Sequence, residues 1–293
     1  MIPGSANPLL LAADAAAGAY SIPRSVRLNS ADSAYFSRTP ATAGNRKTWT
    51  WSAWIKRSRL GAGQQTLFSC VTGTSNSTYL AFSFDRGSGN GPDKIYLADW
   101  STYPIVTTQV FRDPSAWIHI VLAVDTTQAT DSNRIQLYVN GIRVTNFSST
   151  SYPGPSADLA VNQNTLHRIG TDGSAYFDGY LADIWFLDGA TPATTTRTVN
   201  GVTETILSDF GEFDATTGVW NPKAYTGSVS GNSFHLDFAD NSNNTASTLG
   251  KDTSGNSNNW TPNNLSVTAG AGNDSLVDSP TNGTASSGGD AGG

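Results

Sequence analysis

Apolar and polar residues alternate with a period of two along much of this chain, which predicts β-strands rather than helices. Residues 118–124 are apolar except for His119, as expected of a strand buried on both faces. Residues 134–140 alternate, and Asn140-Gly141 then provides the residue pair that a type I′ hairpin turn needs. Residues 115–145 therefore predict a strand, a loop, a strand, a tight turn and a third strand.

Further strands are predicted between turns that are rich in Gly, Asn and Ser. They cover residues 25–29, 33–37, 48–56, 65–71, 78–84, 94–98, 166–170, 179–189, 234–238 and 265–267. In the strand 48–56, one face carries Trp49, Trp51, Ala53 and Ile55, and the other carries Thr50, Ser52, Trp54 and Lys56. Many short strands with little helical periodicity predict an all-β fold, a two-sheet antiparallel jelly-roll sandwich.

The composition changes at three places and suggests a division of the chain. Residues 1–24 are predicted to form an N-terminal docking arm, in which Leu9, Leu10 and Leu11 would be costly to leave in water; a disordered terminus is the alternative. Residues 25–268 are predicted to form the sandwich, interrupted by a Thr-rich insertion or long loop at 190–232. Residues 269–293 are rich in Gly, Ser and Asn and predict a flexible tail.

Charge and cysteine content exclude several classes of protein. The formal net charge is −6 and only 14% of the 293 residues are charged, so there is no basic surface for nucleic acid. Cys70 is the single cysteine and lies in an apolar run, which predicts a buried thiol and no disulfide. The N-terminal residues predict neither a signal peptide nor a membrane span. An extracellular type of composition without an export signal suggests a virus particle.

Three blocks of sequence resemble the concanavalin A-like, laminin-G-like jelly-roll family. They are Thr-Trp-Thr-Trp-Ser-Ala-Trp-Ile-Lys at 48–56, Trp-Ile-His-Ile-Val-Leu-Ala-Val-Asp at 117–125 with Ile-Gln-Leu-Tyr-Val-Asn-Gly at 135–141, and Phe-Asp-Gly-Tyr-Leu-Ala-Asp-Ile-Trp-Phe at 177–186. A fourth block, at 234–260, is similar to the segment that usually opens the domain, but here it closes it. The resemblance therefore implies a circular permutation, in which residues 234–238 pair within the same sandwich.

Other segments resemble laminin-G-like structural proteins of tailed bacteriophages. They lie at residues 3–11, 218–227 and 258–282. This resemblance implies a virion component exposed on the particle surface, with capsid or tail proteins and host surface glycans as partners. We also expect a homo-oligomer, and neither a nucleic acid nor a membrane as partner.

The residues give little support to an enzyme. Glycoside hydrolysis needs two carboxylates about 5–9.5 Å apart. Glu212 and Asp214 imitate the first half of the Glu-x-Asp-x-Glu strand of related glucanases, but Thr216 stands where the third carboxylate would be. The remaining glutamate, Glu204, lies in a Thr-rich segment. His119, His167 and His235 have no zinc-binding spacing, so we expect a protein without catalytic activity.

Calcium is the metal that the sequence favours, because hard cations bind carboxylate, carboxamide and carbonyl oxygens. Asp252, Asn256 and Asn258 lie on one loop that contains a glycine. This loop would need further oxygens from Asp183 or Asp237. The alternative is that the loop merely forms turns.

A carbohydrate site would need exposed aromatic side chains, and Trp54, Tyr96, Trp100 and Tyr103 are the candidates. The alternative is that each of them fills the core or caps its ends. The sequence thus predicts a non-enzymatic virion surface protein, as capsid decoration, head fibre or tail fibre, with a lectin-like jelly roll. The alternative is a soluble carbohydrate-binding or glycoside-hydrolase module.

Overall fold

A computed structural model of the protein describes residues 20–61, 63–85 and 91–282, and β-strands dominate this part of the chain. Two short 3₁₀ turns, Ser30–Asp32 and Asp131–Asn133, are its helical elements. The strands, in chain order, are β1 (Ser25–Leu28), β2 (Tyr35–Arg38), β3 (Thr48–Arg57), β4 (Gln65–Val71), β5 (Tyr79–Phe84), β6 (Ile95–Asp99), β7 (Thr102–Thr107), β8 (Ile118–Asp125), β9 (Ile135–Val139), β10 (Ile142–Arg143), β11 (Phe147–Thr150), β12 (His167–Ile169), β13 (Gly179–Asp188), β14 (Thr194–Val199), β15 (Val202–Leu207), β16 (Gly211–Phe213), β17 (Trp220–Pro222), β18 (Phe234–Leu236), β19 (Thr261–Asn263) and β20 (Ser275–Leu276).

The strands form two large antiparallel sheets and one small hairpin, and the predicted all-β jelly-roll sandwich is confirmed. The first sheet has the order β14-β15-β10-β9-β8-β3-β13-β1-β20, and β18 also pairs with β13. The second sheet has the order β11-β7-β6-β5-β4-β12-β2-β19. The strands β16 and β17 pair with each other and with neither large sheet. We call the two large sheets the first sheet and the second sheet.

The core lies between the two sheets and follows the predicted alternation. Trp49, Trp51, Ala53 and Ile55 all point into it from β3, as the pattern of residues 48–56 predicts. Trp51 stacks on Phe68 of the second sheet, with ring centroids 6.0 Å apart. The hairpin of β9 and β10 turns at Asn140 and Gly141, which both have the positive φ angles of a type I′ turn.

The strand β13 changes its partner along its length. Residues 179–181 pair with β1, and residues 184–186 pair with β18. Between them, a β-bulge places Asp183 in the left-handed region, at a φ of 50°. The fourth sequence block thus adds a strand to the same sandwich as residues 25–190, and this expected consequence of a permuted order is confirmed.

The outer face of the first sheet is covered by a second apolar cluster. From the sheet it takes Trp54, Val121, Ala123, Tyr138, Ala182, Trp185, Leu187 and Leu207, and from the covering segments it takes Ile22, Phe210 and Trp220. The insertion 190–232 is therefore not only a loop: β14 and β15 extend the first sheet, and the segment with β16 and β17 packs on its outer face. This layer explains why Trp54, predicted on the face opposite Trp51, is buried as well.

Both ends of the described chain lie together on the first sheet. The backbone N–H of Ile22 donates to Thr281 Oγ1 at 2.9 Å, and Ser279 Oγ donates to the Ile22 carbonyl at 2.8 Å. Leu276 is buried and pairs with Ser25 through β20. The predicted tail therefore needs correction for residues 269–282, because backbone pairing and apolar burial outweigh their Gly- and Asn-rich composition.

Candidate functional site

Trp100 forms the tip of the hairpin that joins β6 to β7, and half of its surface is exposed (50%). Its φ is +38°, a left-handed conformation that bulky side chains rarely adopt. A residue of this type costs on the order of 1 kcal/mol in that conformation, where Gly or Asn would cost little. The buried Phe210 and Phe238 also have positive φ angles, so it is the exposed aromatic ring that makes this turn a candidate for binding.

Polar side chains at this end of β6 and β7 are held by hydrogen bonds to one another. Asn76, on the loop between β4 and β5, donates from Nδ2 to Asp99 Oδ2 at 3.4 Å and accepts at Oδ1 from the Ser101 hydroxyl at 3.2 Å. Asp99 also accepts from the Thr102 hydroxyl. Burial raises the pKa of Asp99, and the hydrogen bonds from Thr102 lower it in part. The exposed Asn76 and Ser101 thus offer a carboxamide and a hydroxyl near the turn, while Asp99, which is 3% exposed, holds Asn76 in place.

Two tyrosines extend this aromatic surface. Tyr79 meets Trp100 edge to face, with ring centroids 5.8 Å apart. Tyr103 is half-buried and meets Tyr96 edge to face at 6.1 Å. We call Asn76, Tyr79, Asp99, Trp100, Ser101 and Tyr103 together the Trp100 surface. Flat apolar rings next to hydrogen-bonding groups suit a ligand with both C–H faces and hydroxyls, as a sugar has.

The other two predicted carbohydrate residues are buried and need correction. Trp54 is 4% exposed because it lies beneath the covering layer of the first sheet, stacked on His119 at 4.9 Å. Tyr96 is 1% exposed and packs with Ala98 and Val106 on the second sheet. The alternative considered for each aromatic residue, a packing role, therefore applies to these two.

The loop predicted to bind calcium has its oxygens turned towards its own backbone. Asp252 accepts from the backbone N–H groups of His235, Ser254 and Asn258, each at 2.8 Å. Asn256 and Asn258 both donate to the Ser233 carbonyl, and Asn258 also accepts from Arg38. These bonds fasten the loop to β18, which favours the turn-forming alternative.

Asp183 and Asp237 do not complete a metal site either. Asp183 is 3% exposed and lies on the far side of His235, whose Nε2 is 2.6 Å from its Oδ1. The Tyr20 hydroxyl donates to the same oxygen at 2.7 Å, and burial together with this carboxylate raises the Tyr20 pKa. Asp237 accepts from the Ala239 N–H. Among residues 20–61, 63–85 and 91–282, no group of three or more His, Cys, Asp or Glu side chains could hold a metal ion.

His119 is part of the structure of the second apolar cluster. The Trp220 indole donates to its Nδ1 at 3.1 Å, so its Nε2 carries the proton and donates to Ser52 Oγ at 2.9 Å. Complete burial lowers the pKa of His119 to about 3, although the Asp183 charge raises it in part. Trp220 reaches His119 through a slot between two glycines, Gly141 and Gly211, where an added Cβ would lie 2.4 Å from the indole.

The carboxylates considered for hydrolysis have other partners. Glu212 is exposed on β16 and lies 3.9 Å from Lys223. Asp214 accepts from the backbone and hydroxyl of Thr217 and so forms a turn. Glu204 pairs with Arg197 at 2.9 Å. None of these carboxylates lines either of the two clefts described next.

Two surface clefts lie on or beside the first sheet. One, of about 270 Å³, is lined by polar side chains, among them Asp125, Gln136 and Arg143. Its aromatic member, Tyr138, is 1% exposed and donates its hydroxyl to Gln136, so it offers no ring face. The other, of about 400 Å³, follows the turn from residue 139 to residue 146. The Trp100 surface differs from both in presenting an exposed ring.

Two features of the Trp100 surface could not be found from the sequence. The positive φ of Trp100 has no sequence signal, and Asn76 and Tyr79 come from a different hairpin that only the pairing of β5 with β6 brings close.

The proposed docking residues Leu9, Leu10 and Leu11 lie outside the described residues. In the described part of the chain, no helix has the length and apolarity needed to cross a membrane.

The two sheets and their connections define a jelly-roll sandwich of the concanavalin A type. A family model described as the concanavalin A-like lectin/glucanases superfamily (laminin-G type) matches residues 29–195, and the chain belongs to this family. No curated protein matches the chain.

Solved structures show similarity in fold. A heptameric SAP-like pentraxin from Limulus polyphemus is 16% identical with a TM-score of 0.40, covering 59% of this chain and 80% of the pentraxin. A putative carbohydrate binding protein from Bacteroides ovatus is 13% identical with a TM-score of 0.40, covering 72% and 62%. Tailspike protein 2 of bacteriophage CBA120 is 11% identical with a TM-score of 0.36, covering 53% of this chain and 24% of the tailspike chain.

Proposed function

We propose that the protein is a non-enzymatic surface component of a bacteriophage particle and binds glycans through the Trp100 surface. The observation that carries the glycan part is the half-exposed Trp100 ring, which lies at a hairpin tip with a positive φ and meets Tyr79 edge to face. The fold alone would be compatible with a binder or a hydrolase.

The absence of activity is supported by the positions of the acidic groups. The one carboxylate of the Trp100 surface, Asp99, is 3% exposed, and its two oxygens accept from Thr102 and Asn76. Glu204 and Glu212, which are all the glutamates of the chain, lie in the insertion 190–232, on β15 and β16. A hydrolytic site would require a second carboxylate across the ligand.

The location on a phage particle is supported by the sequence resemblance of residues 218–227 and 258–282. These segments are integral to the sandwich: Trp220 covers the first sheet, Trp260 fills the core, and Leu276 lies in β20. The phage-like segments and the laminin-G blocks thus form one folded unit.

A glycan array probed with the full chain tests the binding function. We expect a hit on a bacterial surface polysaccharide, with the affinity reduced about tenfold or more in Trp100→Asn because a central aromatic anchor is removed. Asn tolerates the positive φ, so relief of about 1 kcal/mol of strain should offset the lost contact with Tyr79, worth about 0.5–1.5 kcal/mol. The free energy of unfolding should therefore change little.

Val219→Ala is the matched control, since Val219 is 56% exposed but lies on the insertion instead of the Trp100 surface. It should leave binding unchanged. Release of reducing sugar from the bound glycan, lost in Glu212→Gln, would show the hydrolase alternative to be correct. Failure to detect the chain in purified particles of the phage that encodes it would overturn the virion role and leave glycan binding standing.

A further inference from the structure

The strand β14 forms an open edge of the first sheet. It is a six-residue strand, Thr-Thr-Thr-Arg-Thr-Val, paired on one side with β15 in a continuous register. Within the described residues, no strand pairs with its other side. Five of its six residues are exposed, and Arg197 is half-buried. The strand contains neither Pro nor Gly and has no bulge, so it lacks the usual features that prevent edge pairing.

The direction of the backbone groups on β14 follows from the ladder. Ser208 donates its N–H to the Ala193 carbonyl at 3.0 Å, so residues 193, 195, 197 and 199 direct their backbone groups towards β15. Thr194, Thr196 and Thr198 therefore direct their N–H and C=O groups outward. This side of the strand is a row of donors and acceptors ready for another strand.

The one charge on β14 is neutralised within its own hairpin. Arg197 Nε lies 2.9 Å from Glu204 Oε2 on β15, and the guanidinium lies 3.5 Å above the Phe213 ring. At the hairpin tip, Val199 and Val202 are 44% and 62% exposed. The hairpin edge thus has no unpaired charge, is rich in β-branched residues and is apolar at one end, a composition that favours strand addition.

We propose that β14 pairs with β14 of a second copy of this chain, joining two first sheets across a twofold axis. With the axis at Thr196, Thr196 would pair with its counterpart and Thr194 with Thr198, so every outward group of the three threonines finds a partner. Thr195 would lie opposite Arg197, and no like charges would oppose each other. A second copy closes both edges at once, whereas a foreign strand would leave a new open edge.

The oligomeric state of the full chain tests this proposal, by sedimentation equilibrium from micromolar to hundreds of micromolar concentration. The wild type should form a dimer. Thr196→Pro removes one outward N–H without touching the ladder to β15, and it should raise the dimer dissociation constant about tenfold or more. Thr196→Ala keeps that N–H and is the matched control, which should still form the dimer.

A second variant keeps the test valid if the proline variant fails to fold. Thr196→Lys places two lysines opposite each other across the axis, and it should weaken the dimer at low salt with partial recovery at high salt. A wild type that stays monomeric, or a dimer unaffected by both Thr196→Pro and Thr196→Lys, would overturn the proposal. Glycan binding by the proline variant should be unchanged, because the Trp100 surface lies on the other sheet.

Discussion

Replacement of His119 by phenylalanine should change both the stability of the protein and its dependence on pH. Phenylalanine keeps an aromatic ring stacked on Trp54, but it leaves the Trp220 indole N–H and the Ser52 hydroxyl buried without their partner. A buried group left unsatisfied costs about 1–3 kcal/mol. At pH 7 we therefore expect the variant to lose about 2–5 kcal/mol of unfolding free energy.

The pH dependence carries the sharper test, because His119 is neutral when folded. Burial lowers its pKa to about 3, whereas an unfolded histidine titrates near about 6.5. Between these two values the unfolded state binds a proton at His119 and the folded state does not. The unfolding free energy is therefore highest above pH ~6.5 and falls as the pH drops towards about 3. This loss amounts to about 1.4 kcal/mol per pH unit for one histidine.

His119→Phe has no histidine at this position, so its unfolding free energy does not fall in this way. The difference in unfolding free energy between wild type and variant should therefore shrink by about 1.4 kcal/mol between pH 5.5 and pH 4.5. Urea unfolding followed by tryptophan fluorescence at both values and at neutral pH measures it. Ser52→Ala is the control, since it removes a hydrogen-bond partner of His119 but no titrating group, and its deficit should not depend on pH. A deficit in His119→Phe that is the same at every pH would refute a neutral buried His119.

Three further experiments test other parts of the fold. Gly141→Ala should lower the unfolding free energy, measured by thermal melting, by about 2–4 kcal/mol, because the added Cβ would overlap Trp220 and the φ of residue 141 is +77°. Gly255→Ala is the control: residue 255 also has a positive φ but has open space around it, so this change should cost only about 1 kcal/mol. Arg57→Met should cost about 3–5 kcal/mol, because it leaves the buried Asp85 carboxylate without a cation and leaves Asp93 with Arg112 alone; a loss below 1 kcal/mol in urea unfolding would contradict this. Cys70 is fully buried and burial raises its pKa, so an aromatic disulfide reagent should react with it only in step with unfolding; rapid labelling in native buffer would contradict the buried assignment.

The sandwich was predictable because its signals are local. Alternation over residues 48–56, the apolar run 118–124 and the Asn140-Gly141 turn each determine one strand or turn without reference to distant residues. The strand at 234–236 was also within reach, since its block resembles a known segment even in a displaced position. Local period and turn chemistry therefore account for the sheets.

The covering layer was not predictable in the same way. Alternation places Trp54 opposite Trp51, but it cannot say whether that face meets solvent or a second layer. Trp220 and Phe210, which bury it, come from a Thr- and Gly-rich stretch with no clear period. The residues 269–282 were misjudged for a related reason, since their low hydrophobicity is offset by pairing with β1 and hydrogen bonds to Ile22.

The Trp100 surface was predicted in part. Trp100 and Tyr103 were both candidates for a carbohydrate site, and Trp100 is exposed while Tyr103 is partly exposed. Tyr96, seven residues before Tyr103, points to the same face but is buried there by its neighbours. Which aromatic residue is exposed depends on the turn geometry and on side chains from other strands, which the sequence does not show.

The central claim is that the exposed Trp100 ring is where a glycan binds. The chain has eight tryptophans, so incorporation of 5-fluorotryptophan gives a ¹⁹F NMR signal for each, and Trp100→Asn assigns the relevant one. Six of the eight are buried and Trp117 is partly buried. Titration with the array-selected oligosaccharide should shift the Trp100 signal and leave the six buried ones in place. An unchanged Trp100 signal at saturation would contradict the account.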